Sequence, residues 1–240
     1  MRGGAGVTGG GGGGGAGGGG VAGVAPDGSP VEVFAALPAE PAAGCVLSAL
    51  PPHCEVLELG CGAGRLTAAM TAAGHRVVAV DESPEMLTHV HAPAEPVVAD
   101  AACLDLGRSF GAVVLASYLV NDRARGARFL ATAARHLAPG GTVLVQRYDP
   151  TWVEAGETGE ATVGDVTIAV TRLVPHGGWF EATVAYALGG RRWEQVVEAA
   201  VLDDDALGAM ASASGLAIRS WLDPHRTWAE LAKSPSARDS

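Results

Sequence analysis

A glycine-rich turn joins a predicted strand to a predicted helix in the first third of the chain. The apolar run 55–59 is followed by glycines at positions 60, 62 and 64, and then by an alanine-rich helical segment. Such glycines adopt backbone angles closed to other residues and let the main chain approach a ligand. The free N–H groups at the start of the helix then face that ligand. The residues that we expect at this binding site are Glu58, Gly60, Cys61, Gly62, Gly64 and Arg65.

A carboxylate ends the next apolar run. Residues 75–81 predict a second strand whose last residue is Asp81, 21 residues beyond Gly60. An acidic side chain at this point of the chain can accept hydrogen bonds from both hydroxyls of a ribose. The order strand, glycine turn, helix, strand and acid therefore predicts a nucleoside-binding unit.

Four stretches of the sequence resemble motifs of class I S-adenosylmethionine (SAM)-dependent methyltransferases. They are residues 58–65, 80–87, 99–101 and 137–141, in the family's order within residues 53–149. The resemblance is closer still to small-molecule methyltransferases of the actinobacterial type, which have a β-rich C-terminal half. It implies SAM as the cofactor. Beyond the glycine turn and Asp81, the cofactor contacts that it implies are Glu82, Met86, Asp100, Ala101, Ala116 and Ser117.

Three of the possible ligand contacts have an alternative in ordinary folding. The resemblance places Met86 beside an adenine ring and Asp100 at its amino group. Met86 is equally suited to a core position, and Asp100 could cap a helix or stabilise a turn. Phe34, in the predicted amphipathic segment 30–37, could touch the ligand from a lid or pack on the core.

The end of the fourth predicted strand departs from one branch of the family. Nucleic-acid amino-methyltransferases carry an Asp/Asn-Pro-Pro-aromatic motif there, whereas residues 116–119 of this chain read Ala-Ser-Tyr-Leu. The device that activates the amine of a base is therefore missing. Tyr118 and His176 are our candidates for catalysis, and Tyr118 and Tyr148 for contact with the acceptor. The other possible general bases are Asp122, Asp149 and His225.

Composition limits the partners. The formal net charge is −10, and the single lysine, Lys233, stands against fifteen arginines. This balance argues against a nucleic-acid surface, which needs clustered basic residues. Four cysteines without a Cys-x-x-Cys pair predict no metal site and suit reduced thiols in the cytoplasm. We expect no membrane span and a small-molecule acceptor under an apolar roof bearing Trp152, Trp179 and Trp193.

The pattern of strands and helices predicts an α/β fold. It is a Rossmann-like, seven-stranded methyltransferase sheet with a small antiparallel β elaboration in the C-terminal half. We expect a disordered glycine-rich tail over 1–25, a SAM-binding core over 26–150, strands over 151–233 that complete the sheet and roof the acceptor site, and a frayed tail over 234–240.

The C-terminal half alternates like antiparallel strands at 163–173, 179–188 and 191–202, with Gly177-Gly178 and Gly189-Gly190 as hairpin turns. Residues 216–222 predict a last strand, and residues 228–233 a short helix. The final strand of the large sheet is expected to run antiparallel between its neighbours.

Two other functions share part of the pattern. An NAD(P)-dependent oxidoreductase also uses a glycine turn and a ribose acid, but its usual spacing is Gly-x-Gly-x-x-Gly. This chain also lacks a Tyr-x-x-x-Lys pair for hydride chemistry. A non-catalytic SAM-binding regulator would keep the binding motifs without turning the cofactor over.

Overall fold

Residues 23–234 are described by the computed structural model, and they form two β-sheets. The strands of the larger sheet are β1 (Glu55–Leu59), β2 (Arg76–Asp81), β3 (Glu95–Val98), β4 (Phe110–Leu115), β5 (Leu137–Gln146), β10 (Leu216–Trp221) and β11 (Trp228–Lys233). Their order in the sheet is β10-β11-β5-β4-β1-β2-β3. Strands β1 to β5 run parallel, and β11 runs antiparallel between β5 and β10.

Helices cover both faces of this sheet. Helices α2 and α3 pack on one face, and α5 and α7 pack on the other. Because both faces are buried at the centre of the sheet, the central parallel strands are apolar almost throughout; five of the six residues of β4 are buried, whereas the edge strand β3 is largely exposed. The helices are α1 (Val31–Ala36), α2 (Ala42–Ala49), α3 (Arg65–Ala72), α4 (Pro84–Leu87), α5 (Gly126–His136), α6 (Pro150–Ala155) and α7 (Asp204–Ala213).

The second sheet is a four-stranded antiparallel meander. Double glycines with positive φ form two of its turns, at 177–178 and 189–190, as expected. Val166 and Tyr186, on its inner face, pack on Val33 of α1. The strands, in sheet order, are β6 (Gly159–Val163), β7 (Val166–Pro175), β8 (Trp179–Leu188) and β9 (Arg191–Ala200).

The predicted fold class is confirmed, with one error of element type. Residues 228–233 were expected to form a helix, but they form β11, which pairs with β5 on one side and β10 on the other. Six residues carry too little periodicity to separate a helix from a strand. Pairing with two distant strands decides the outcome. The prediction also missed the short elements α6 and β6.

The expected tails lie mostly outside the described residues. Of the predicted disordered segment 1–25, the structure describes 23–25, and these residues are ordered: the Gly23 N–H donates to Glu85, Val24 bridges to Pro30, and Ala25 is buried. Of 234–240, only Ser234 is described, and its N–H donates to the Gly215 carbonyl. No helix in residues 23–234 is both long and apolar enough to cross a membrane.

Two helical glycines provide a matched test of packing around the loop after β4. A Cβ on Gly126, the first residue of α5, would collide with the Val120 carbonyl oxygen, whereas a Cβ on Gly208 in α7 meets nothing within 4 Å. We expect Gly126→Ala to lower the free energy of unfolding by about 1–3 kcal/mol, because the backbone must move. Gly208→Ala should raise it by about 0.5–1 kcal/mol, because alanine favours the helix. Urea unfolding of both variants checks the pair, and a Gly126→Ala protein as stable as the parent would contradict the packing.

Candidate active site

A cavity of about 1100 Å³ lies between the carboxyl ends of the parallel strands and the four-stranded sheet. Small-molecule sites usually measure roughly 300–1,000 Å³. The cavity therefore has room for a cofactor and a second molecule. Its floor includes the glycine turn after β1 and the ends of β2 and β3, and its roof includes Val170, Ala182 and Val197.

The three glycines of the turn have different surroundings. All have positive φ, at 69°, 54° and 82° for Gly60, Gly62 and Gly64. A Cβ on Gly60 would collide with the Leu119 side chain, and one on Gly64 would lie 2.8 Å from Val90 Cγ2. A Cβ on Gly62 meets nothing within 4 Å, and this residue lines the cavity. Gly60 and Gly64 therefore permit close packing, while Gly62 keeps the cavity open.

Asp81 ends β2 directly beside this turn. Its Oδ2 accepts from the Gly62 N–H at 2.8 Å, and its Oδ1 accepts from the Ser83 N–H at 2.9 Å. Burial raises the pKa of Asp81, and these two main-chain donors oppose that shift. A carboxylate oxygen has two lone pairs, so both oxygens can still accept from a ligand.

Most of the predicted cofactor residues are brought together on the cavity wall. Ser83 also caps α4 through a bond from the Met86 N–H to its hydroxyl, 3.2 Å, which places Met86 on the wall. The predicted residues that line the cavity are Gly60, Cys61, Gly62, Arg65, Asp81, Glu82, Met86, Asp100, Ala101 and Ser117. Glu58, Gly64 and Ala116 are not among the lining residues.

Glu58 lies beneath the turn instead. Its side chain is buried and accepts a hydrogen bond from the Thr67 hydroxyl of α3. Burial raises the pKa of Glu58 to about 7, against the opposing effects of the Thr67 hydrogen bond and of Arg65. In the structure Glu58 therefore supports the turn from behind.

An aromatic cluster forms the other end of the cavity. The Tyr118 and Tyr148 rings stack with centroids 4.0 Å apart and planes 10° apart. Phe180 meets the Tyr148 ring edge-on at 5.0 Å, and Trp152 packs against both. All four side chains line the cavity. We name this set, Tyr118, Tyr148, Trp152 and Phe180, the aromatic wall.

The loop that carries Tyr118 has an unusual backbone. Ser117 and Tyr118 both have positive φ, 53° and 63°. Non-glycine residues in this region cost about 1–3 kcal/mol each and concentrate at functional sites. Tyr118 keeps 36% of its surface accessible, but the packing around its ring desolvates the phenol and raises its pKa, so the phenol stays neutral at physiological pH.

The other candidates separate into two groups. Asp122 and Asp149 line the cavity, whereas His176 and His225 do not. Burial acts to raise the pKa of Asp122 and of Asp149, but hydrogen bonds from Arg125 and from Thr151, respectively, hold both below their usual values.

His176 lies at the start of the β7–β8 turn, stacked on Trp179 at 4.1 Å. Trp179 and Trp193, which were expected in the roof over the acceptor, are also absent from the cavity lining. Trp179 points to the opposite face of β8 from Phe180 and Ala182. Trp193 pairs with Tyr186 and packs in the inner-face cluster of Val33, Val166 and Tyr186. Of the three predicted roof tryptophans only Trp152 lines the cavity. Within residues 23–234, no three His, Cys, Asp or Glu side chains are grouped so that they could hold a metal ion.

Arg125 and Phe180 are among the lining residues that the sequence analysis missed. Arg125 bonds Glu82 at 3.1 Å and Asp122 at 2.9 Å, across the cavity floor. Phe180 occupies the buried positions of β8 together with Ala182 and Tyr186. The two-residue periodicity of β8 was the available signal for Phe180. The contacts of Arg125 depend on the fold and have no local signal.

Comparisons with known proteins agree with this geometry. Residues 56–141 match the family model described as a methyltransferase domain. Cypemycin N-terminal methyltransferase from a Streptomyces species is 34% identical over 103 residues, which is 40% of this chain and 42% of that protein. The chain thus aligns with less than half the length of this curated relative.

Solved structures extend the likeness to both sheets. The sugar N-methyltransferase KedS8 from a Streptoalloteichus species has a TM-score of 0.65 and 22% identity, covering 93% of this chain and 100% of that chain. SAM-bound CalS10, an amino pentose methyltransferase from Micromonospora echinaspora, has a TM-score of 0.63 and 21% identity, covering 82% of this chain and 90% of that chain. At these identities the likeness shows the fold.

The larger sheet, with its glycine turn and its carboxylate at the next strand end, is the nucleotide-binding fold of SAM-dependent enzymes. Residues 56–141 thus match a methyltransferase domain, and the chain has the fold of solved SAM-dependent methyltransferases.

Glu58 generates a pH-dependent prediction. In the unfolded chain the Glu58 carboxyl has its ordinary pKa of 4.5, whereas in the folded protein its pKa is about 7. Ionisation between these values therefore favours unfolding, and stability falls as the pH rises. We expect Glu58→Gln, a neutral isostere, to gain up to about 3 kcal/mol relative to the parent between about pH 5 and pH 8. Chemical unfolding of both proteins at each pH tests this prediction. A difference in the free energy of unfolding that does not change with pH would contradict it.

Proposed function

We propose that this chain is an enzyme that transfers the methyl group of SAM to a small organic amine. One observation carries the proposal: a single cavity joins the glycine turn and strand-end carboxylates to the aromatic wall. A cofactor at the first end would thus meet an acceptor at the second. The chain's contribution is to bind, to orient and to exclude water.

The residues at the cofactor end fit SAM. The open space at Gly62 is the space that a side chain would fill. In this proposal Asp81 accepts from the ribose hydroxyls, Asp100 from the adenine amino group, and Met86 and Ala101 pack on the adenine ring. When bound, SAM supplies an electrophilic methyl group on a positively charged sulfur.

The charges of the cavity support an amine as the acceptor. Nine carboxylates but only two arginines line it. Lining charges of one sign attract ligands of the other sign, so the site favours cations. The names of the similar proteins, an N-terminal methyltransferase, a sugar N-methyltransferase and an amino pentose methyltransferase, point to the same class of acceptor.

The aromatic wall would hold this acceptor. An amine carried by a flat or ring-shaped skeleton can pack on Trp152 and on the exposed face of Tyr118, which keeps 36% of its surface accessible. Aromatic faces also attract cations. Orientation of the two reactants can supply about 7–11 kcal/mol of barrier reduction. This contribution is larger than that of a general base, which adds roughly 10²–10⁴-fold.

The acceptor nitrogen must be unprotonated to react. Tyr118 stays neutral because burial raises its pKa, so its part in the proposal is contact and orientation. Asp149 stays ionised because its pKa is held low, so it attracts an ammonium group to the wall. The bound ammonium must lose a proton to solvent before its nitrogen can react.

The proposal divides the chain as the sequence suggested. Residues 26–150 supply the cofactor side and residues 151–233 the roof. The four cysteines are all free thiols, which supports a cytoplasmic location. No comparison supports an oxidoreductase, and a SAM-binding regulator differs from the proposed enzyme only in lacking turnover.

The activity test uses the full chain, SAM and a panel of amines, including glucosamine, other amino sugars and short peptides with a free N-terminus. We expect S-adenosylhomocysteine to form together with a product that is heavier by one methyl group, both measured by mass spectrometry. Gly62→Val is the inactive control, because its side chain would occupy the cofactor space. Tight SAM binding without turnover on amines, alcohols or thiols would point to a regulator, and binding of NADH in place of SAM to an oxidoreductase.

The ribose contact gives a first quantitative prediction. Asp81→Asn should weaken SAM binding by about ten- to a hundredfold, because hydrogen bonds to charged groups contribute about 1.5–3 kcal/mol each. Asp205→Asn, on the exposed side of α7, removes the same charge away from the cavity and serves as control. Titration calorimetry gives both dissociation constants, and an unchanged value for a folded Asp81→Asn protein refutes the contact.

The aromatic wall gives a second. Trp152→Ala should lower kcat/KM for an amine from the panel by about tenfold, because stacking and burial of one large ring are lost. The dissociation constant of SAM should stay within about twofold of the parent value, since Trp152 lies at the acceptor end. Trp193→Ala, on the same sheet but outside the cavity lining, is the matched control. Equal losses in both variants would contradict the assignment.

A further inference from the structure

One buried amide joins the two sheets next to the aromatic wall. Asn121, in the 3₁₀ turn Leu119–Asn121, is 0% exposed. Its Nδ2 donates to the Ala200 carbonyl at the end of β9, at 2.8 Å. Its Oδ1 accepts from the Tyr148 N–H after β5, at 3.2 Å. Both polar atoms of the side chain are therefore used, and each bonds to the main chain of a different segment.

Neighbouring contacts tie the same loop to the same sheet. Asp122 forms a β-bridge with Ala199, and the Arg123 guanidinium pairs with Glu198 at 2.6 Å and lies 3.8 Å from the Trp179 ring. The Arg123–Glu198 pair is exposed, and exposed ion pairs contribute little to stability. Loss of a buried amide leaves main-chain partners unsatisfied, which costs more. Loss of the Asn121 amide should therefore weaken this junction more than loss of the Arg123–Glu198 ion pair.

The contacts of Asn121 fix the main chain that carries the rings of the aromatic wall. Asn121 holds the main chain of Tyr148, whose ring stacks on Tyr118 at 4.0 Å and meets Phe180 of β8 edge-on at 5.0 Å. Tyr118 precedes the 3₁₀ turn in a strained backbone conformation, so its ring position also depends on how the turn is fastened.

We propose that Asn121 is a positioning residue for the acceptor, acting through Tyr148 and Tyr118 rather than by contact with the reacting atoms. This inference rests on the proposed methyl transfer. In this inference, the contacts between the two sheets orient the acceptor and do not affect cofactor binding.

Two variants and a control test the inference. Asn121→Leu removes both hydrogen bonds, and Asn121→Asp keeps an oxygen for the Tyr148 N–H but loses the donor to Ala200. Thr132→Val is the control, since Thr132 is also 0% exposed and donates one hydrogen bond, to the Ala102 carbonyl at 3.2 Å, outside the cavity lining.

We expect Asn121→Leu to lower kcat/KM for the fastest amine of the panel by about ten- to a hundredfold, because small displacements of positioning groups are costly. Asn121→Asp should show an intermediate loss, as a partial rescue. The SAM dissociation constant of both should stay within about twofold of the parent value, and Thr132→Val should keep its acceptor kinetics. Equal acceptor kinetics in Asn121→Leu and the parent, or an equal loss in Thr132→Val, overturns the inference.

A readout without turnover keeps this result separate from the proposed function. Hydrogen–deuterium exchange of the intact chain with SAM should be about tenfold faster over residues 117–122 and at Tyr148 in Asn121→Leu, but unchanged there in Thr132→Val. If the parent protein methylates no panel amine, the proposed function fails, while exchange still decides whether Asn121 fastens the wall. Unchanged exchange in Asn121→Leu overturns the inference in either case.

Discussion

The wall of the cavity at the ends of β1 and β2 depends on the hydrogen bond from the Gly62 N–H to the Asp81 carboxylate, 2.8 Å long. It joins the turn after β1 to the end of β2, two strands that already pair in parallel. No arginine or lysine within residues 23–234 forms an ion pair with Asp81; main-chain N–H groups stabilise its charge instead. The Asp81 carboxylate is therefore free to accept hydrogen bonds from ligand hydroxyls or to attract a positively charged ligand.

The two ends of the cavity are lined by different kinds of groups, and the Arg125 side chain contacts segments of both. Main-chain donors and carboxylates dominate the first end, and stacked rings dominate the second. Arg125 bonds Glu82, after β2, and Asp122, after the 3₁₀ turn, at 3.1 and 2.9 Å. The segment that carries the strand-end acids is thus coupled to the loop that carries Tyr118. Arg125 thus contacts acidic residues of both segments.

The sequence was informative wherever short-range chemistry determines the structure. The glycine turn, the Ser83 cap and the double-glycine hairpins follow from local backbone preferences, and all three are found. Residues 228–233 were misassigned because pairing with β5 and β10 makes them a strand, and no local pattern reports that pairing. The positions of His176 outside the cavity and of Asn121 at the junction likewise depend on how the two sheets meet.

The strained loop shows why the four-stranded sheet is part of the site. Positive φ at Ser117 and Tyr118 is unfavourable, so other contacts must hold the loop. The Ser117 N–H donates to the Gln146 side chain of β5 at 2.9 Å, and Asn121 anchors the other end of the loop to β9. The loop is therefore held from both sheets. Because the Asn121 anchor lies on β9 and Phe180 lies on β8, the smaller sheet supplies part of the contacts that form the aromatic wall.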